Sequence, residues 1–127
     1  MIYIFSAFYA EAKNIIDHYG LKKEKSPEMV RFDVFANESI RLVITGVGEI
    51  NAAAAVSNIG GAYGISQDDE ILNVGCGAGF SSDICMGSIF LGNKLTEQMT
   101  GRTFYPDMLM KANFRAVSYT HLRAHET

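Results

Sequence analysis

Three times in its first 80 residues the chain repeats one pattern: a short apolar run gives way to a loop of small residues. Residues 2–6 end in Ser6-Ala7, residues 40–44 run into Thr45-Gly46-Val47-Gly48, and residues 70–74 run into Gly75-Cys76-Gly77-Ala78-Gly79. Helical patterns follow the first two. Ala12, Ile15, Ile16 and Tyr19 recur at helical spacing, and Glu49-Ile50-Asn51-Ala52-Ala53-Ala54-Ala55-Val56 reads as a small-residue helix able to approach a sheet closely. Strands alternating with helices predict an α/β fold: a parallel or mixed sheet covered on both faces, with ligands beyond the carboxyl ends of its strands. The loops at 7–11, 46–48 and 75–79 therefore hold the candidate site.

The boundaries follow from punctuation. Gly20 after Tyr19, with Lys22-Lys23 beyond, stops the first helix near Tyr19. Residues 21–28 are polar and contain Pro27, which reads as a loop; residues 29–35 and 40–44 read as a hairpin around Asn37-Glu38-Ser39. Val30, Phe32 and Val34 alternate with Arg31 and Asp33, giving the first strand one wet face, whereas Leu42-Val43-Ile44 reads as buried on both. The second helix is expected to end around Gly60-Gly61, and residues 86–92 to form a further strand. After residues 103–107 the pattern fades, with Asp107 expected to cap a short helix starting near Met108. Residues 116–127 show neither period and resemble an appended non-native tail, so the domain is read as 1–115.

A chain of 127 residues, 48% of them apolar, holds one domain at most, or a piece of one. Twelve glycines against two prolines, with no glycine period, exclude collagen and a disordered chain. The formal net charge of −3 offers no basic field for a phosphate backbone, which argues against a nucleic-acid partner. No window approaches the ~20 apolar residues that span a bilayer, and Met1-Ile2-Tyr3-Ile4-Phe5 lacks the positive flank of a signal peptide, so a soluble cytoplasmic protein without a membrane partner is expected. Cys76 and Cys85 lack partners at metal spacing; both read as reduced thiols acting as small hydrophobes, with no metal and no cofactor implied.

Gly46-Val47-Gly48-Glu49-Ile50-Asn51 begins like a dinucleotide fingerprint, but Asn51 replaces the third glycine and no acidic residue ends a later strand at the required distance. Gly75, Gly77 and Gly79 let backbone N–H groups converge on a ligand, or simply make a sharp connection. Cys76 lacks a base for a nucleophilic dyad, since the only histidine before the tail is His18 on the first helix. Glu11 is the one acidic group at an otherwise apolar strand-to-helix junction; taken alone it compensates the helix dipole.

In combination, Ala7 through Glu11-Ala12, then Thr45 through Ala53, then Ile71 through Gly79, then Gly87-Ser88-Ile89 resemble the N-terminal half of the nucleoside phosphorylase and nucleosidase superfamily. The likeness runs over about residues 2–110 and is strongest to its methylthioadenosine/S-adenosylhomocysteine nucleosidase branch. It implies a three-layer α/β sandwich around a mixed, partly barrel-like sheet, usually a homo-oligomer, that cleaves the N-glycosidic bond of a purine nucleoside. Glu11 matches the glutamate that positions and deprotonates the attacking water, while Ala7, Val47, Gly77 and Ala78 match positions lining the purine and sugar pocket. Cys76 stands where the hydrolases carry a serine near that water. Hexameric phosphorylases carry arginines where this chain has Asn73 and Phe8-Tyr9-Ala10-Glu11, so water is favoured over phosphate as nucleophile.

Family members run close to twice this length. Their second half supplies a Met-Glu ribose clamp, a base-stacking aromatic residue and the aspartate that protonates the purine, none of which has a counterpart in this sequence. Three other readings stay open. A phosphorylase would show phosphate-dependent release, and a non-catalytic nucleoside-binding module would show binding that survives Glu11→Gln without turnover. A Rossmann-type cofactor domain would bind NAD.

Overall fold

Side-chain alternation along one strand decides the architecture of the first part of the chain. In β1 (Ile2–Ser6) the odd residues Tyr3 and Phe5 pack in one apolar cluster with Ala55 and Ile59, whereas Ile4 packs in another with Ala12 and Ile16. The same split recurs at Val43 and Leu42. One sheet is thus sandwiched between α1 (Tyr9–Tyr19) and α2 (Glu49–Tyr63), the three layers expected from the sequence. The computed structural model describes residues 1–80, 82, 84–107 and, as backbone, 115–121. It divides into two compact units, Met1–Gly77 and Ala78–Thr127.

The first unit holds a five-stranded sheet in the order β2-β3-β4-β1-β5, adding β2 (Lys22–Lys23), β3 (Asp33–Ala36), β4 (Ile40–Ile44) and β5 (Glu70–Asn73). β1 pairs in parallel with β4 and β5, in the registers Ser6 to Ile44 and Phe5 to Asn73. The β3–β4 hairpin is antiparallel, so the sheet is mixed. All three parallel strands therefore deliver their carboxyl ends, and the loops that follow, to one end of the sheet.

α1 ends where its sequence says: Gly20 adopts φ 63° and donates its N–H to the Asp17 carbonyl at 3.4 Å, while the N–H of the buried Leu21 donates to the Ile16 carbonyl at 2.9 Å. α2 does not. It runs through Gly60-Gly61 to Tyr63 and is closed by Gly64 at φ 67°. Tertiary contacts override the low helix propensity of two glycines here: Ile59 is fully buried before them, and Tyr63 after them reaches across to the strands.

Tyr63 is the centre of a polar tie at the amino-terminal end of the parallel strands. Its hydroxyl donates to Glu24 Oε2 at 2.6 Å and lies 3.1 Å from Ser26 Oγ. The Arg41 guanidinium lies 4.0 Å over its ring, donates from Nη1 to the Tyr3 hydroxyl at 3.2 Å, and places Nε 3.6 Å from Glu24 Oε2. This tie fixes the stretch read as a loop from sequence, where β2 forms because Leu21 anchors one end and the Glu24 N–H donates to the Val34 carbonyl at the other. Exposed lysines on so short an edge strand protect it from pairing with other chains.

Burial, and then the bond to Glu24, raise the Tyr63 phenol above its ordinary value of 10.0. A folded value above the unfolded one means that the neutral phenol holds its proton more tightly in the fold. Its contribution is full below about pH 10 and is lost as pH rises through the folded value. Urea midpoints are therefore expected to fall more steeply above about pH 10 in the wild type than in Tyr63→Phe, which at pH 7 is less stable by about 1 kcal/mol. Parallel curves would contradict this.

In the second unit β6 (Phe90–Glu97) is central, antiparallel to β7 (Thr103–Phe104) and parallel to β8 (Arg115–His121). Two expectations are corrected. The strand starts at Phe90 instead of Met86, because Gly87 at φ 87° sits in a turn. Residues 116–121, in the stretch that shows no period in the sequence, are extended and, together with Arg115, pair along β6, in keeping with the β-forming Val117, Tyr119 and Thr120. The helix expected from Met108 lies outside the described residues.

Candidate functional site

Each parallel strand is prolonged by backbone bonds that draw its loop to the others. The Thr45 N–H donates to the Ser6 carbonyl at 2.9 Å and the Gly46 N–H to the Ala7 carbonyl at 3.1 Å, zipping the second loop to the first. The Val74 N–H donates to the Phe5 carbonyl at 3.0 Å, bringing in the third. Ala7 is half-buried by this arrangement and Val47 is exposed at the loop tip.

Loop 46–48 is shaped by two glycines in the left-handed region, Gly46 at φ 83° and Gly48 at φ 95°, conformations that a side chain would strain. Asn51, the residue that breaks the dinucleotide pattern, braces this loop instead. Its Nδ2 donates to the Val47 carbonyl at 2.7 Å and holds the loop against the first turn of α2. The buried Thr45 hydroxyl donates to the Gly46 carbonyl at 2.8 Å from the other side.

Glu11 lies in the first turn of α1, whose N-cap Phe8 is extended and provides no side-chain cap. The positive end of the helix thus faces a carboxylate. Dipole compensation does not exhaust its role, because Glu11 Oε2 accepts a hydrogen bond from Ser6 Oγ at 3.3 Å, and Ser6 is only 1% exposed. Gly75 lies beside the same oxygen, where a Cβ would come within 3.7 Å of Oε2. Ser6, Glu11 and Gly75 thereby come together from two strand ends and a helix start. A carboxylate held there by one oxygen keeps a second oxygen for a water proton.

Ser6 escaped sequence reading because it looks like the polar end of an apolar run. The signal available was its five-residue spacing to Glu11 across a strand-to-helix turn.

The third loop departs from expectation in part. Gly75 is not in the left-handed region, so its use is the room it leaves beside Glu11. Gly79 belongs to the second unit, where a Cβ would meet Ile84 Cδ1 at 2.8 Å. Gly77 closes the first unit and Ala78 opens the second, both exposed. Cys76 and Cys85 are free thiols, and both are exposed, contrary to the small-hydrophobe reading. Among the described residues no group of three or more His, Cys, Asp or Glu could hold a metal ion, and no helix is long and apolar enough to cross a membrane.

No family model and no curated protein matches the chain. Solved structures do. A 5′-methylthioadenosine/S-adenosylhomocysteine nucleosidase from Colwellia psychrerythraea, in complex with adenine, superposes with a TM-score of 0.72 at 17% identity, over 97% of this chain and 62% of its own. An S-adenosylhomocysteine nucleosidase from Streptococcus pyogenes, in complex with 5-methylthiotubericidin, gives 0.69 at 14% identity, over 97% and 63%. A futalosine hydrolase mutant from Helicobacter pylori gives 0.61 at 16%, over 76% and 44%. The chain shares the fold of these structures and spans less than two thirds of the length of each.

Proposed function

We propose that this chain supplies the first part of a purine-nucleoside pocket in which Glu11 activates water for cleavage of the N-glycosidic bond. The observation that carries the reading is the Glu11 carboxylate beside Gly75 and bonded to the buried Ser6, at the carboxyl end of a sheet shared with enzymes solved with adenine and a methylthio nucleoside analogue. In the step itself, the water oxygen forms a bond to C1′ as its proton passes to Glu11, and the C1′–N bond breaks with its electron pair leaving on the purine. Ala7, Val47, Cys76 and Gly77 line the purine and sugar in this reading. The substrate is a nucleoside of the methylthioadenosine or S-adenosylhomocysteine type, and the working form is a cytoplasmic homo-oligomer.

Water is preferred to phosphate because residues 7–11, 45–51 and 73–77 contribute no lysine or arginine to hold a phosphate dianion. The leaving purine has to be protonated, and the resemblance places that acid in the family's second half. Without it about 10²–10⁴ in rate is missing. The 127-residue chain by itself is therefore expected to release no adenine from methylthioadenosine, followed by chromatography over hours. Detectable release by the purified chain would show that its own residues complete the site.

A further inference from the structure

Ser6 closes β1, in the sequence Ile-Tyr-Ile-Phe-Ser, and is 1% exposed. A hydroxyl buried to that degree is costly unless it is bonded, and alanine would occupy the same space without the cost. Among the described residues its side chain makes one hydrogen bond, to Glu11 Oε2 at 3.3 Å. That is longer than the ~2.7 Å of a tight O–H···O contact, so it guides the carboxylate more than it clamps it. Glu11 needs guidance: it is half-buried at the start of α1, and a flexible carboxylate chain loses entropy when it is held in one rotamer.

We propose that Ser6 is a positioning residue for Glu11, whose buried hydroxyl holds Oε2 on the Gly75 side of the cleft and leaves Oε1 for the nucleophilic water. The proposal rests on the reading of Glu11 as the base. It adds a residue to that base from the strand side, where the hydroxyl gives the carboxylate a defined direction of proton acceptance.

The test uses the isotopically labelled 127-residue chain and the three-bond couplings that report the χ1 and χ2 rotamers of Glu11. One rotamer is expected to dominate in the wild type, to give way to averaged couplings in Ser6→Ala, and to return in Ser6→Thr, which restores a hydroxyl. A Glu11 that averages already in the wild type, stays fixed in Ser6→Ala, or does not recover in Ser6→Thr overturns the proposal. Should Ser6→Ala not fold, the pair is read from its other end: slow exchange of the Ser6 hydroxyl proton is expected in the wild type and its loss in Glu11→Ala. Unchanged exchange overturns the proposal. These readouts do not depend on turnover, so the proposal fails separately from the nucleosidase reading, which fails when Glu11→Gln leaves purine release intact.

Discussion

Glu11→Gln is expected to lower the turnover of purine release by about 10²–10⁴-fold in the protein as its native cells make it, with a much smaller change in KM. The amide is nearly isosteric and can still accept the Ser6 hydroxyl through its oxygen, so the geometry of the first turn of α1 survives. What it loses, on the proposed reading, is the ability to take a proton from water attacking C1′. A structural role for Glu11, limited to compensating the helix dipole, predicts at most a loss of about 1 kcal/mol in stability and little change in turnover. Measuring kcat, KM and the urea midpoint of the one variant separates the two roles.

The second large effect lies in the sheet. Leu42 is fully buried beneath α1, in the cluster of Ile4, Ala12, Ile16, Leu21 and Ile40, and Leu42→Ala is expected to cost about 2–5 kcal/mol. Against a total of about 5–15 kcal/mol for an ordinary domain, that leaves little reserve. The loss is also directional. Val43, its neighbour, faces the opposite layer with Tyr3, Phe5, Ala55 and Ile59, so Val43→Ala loosens α2 while Leu42→Ala loosens α1 and with it Glu11. Amide hydrogen exchange distinguishes them: faster exchange confined to α1 in one variant and to α2 in the other. Both variants loosening the same helix would contradict the layer assignment.

That layering was legible in the sequence because it rests on period and punctuation. Ile2 to Ser6 is mostly apolar and short, Gly20 takes the left-handed conformation that ends a helix, and Leu42 and Val43 are buried on opposite faces as their composition requires, with Ile44 half-buried. The elements that were not legible depend on partners distant in the chain. β2 is two exposed lysines held by Leu21 and Val34, and α2 passes its glycines because Tyr63 reaches Glu24, 39 residues away. β6 begins late because Gly87 turns first.

The site shows the same division. Glu11 and the three loops follow from order and spacing, and the backbone bonds of Thr45, Gly46 and Val74 show how those loops meet. Ser6 needed the fold, since its five-residue spacing to Glu11 does not by itself separate a serine that ends a strand from one that holds a carboxylate. Ala78 stays a proposal of sequence likeness alone, in a unit separate from Glu11.

The most direct measurement is the fate of the oxygen. Methylthioadenosine is incubated in ¹⁸O-labelled water and phosphate buffer with the protein as its native cells make it, and the sugar product is weighed by mass spectrometry. The account predicts adenine release with one ¹⁸O at C1 of the free methylthioribose, and no requirement for phosphate. A sugar 1-phosphate without the label would assign the chemistry to phosphorolysis, and an unconsumed nucleoside would remove the catalytic reading of Glu11 altogether.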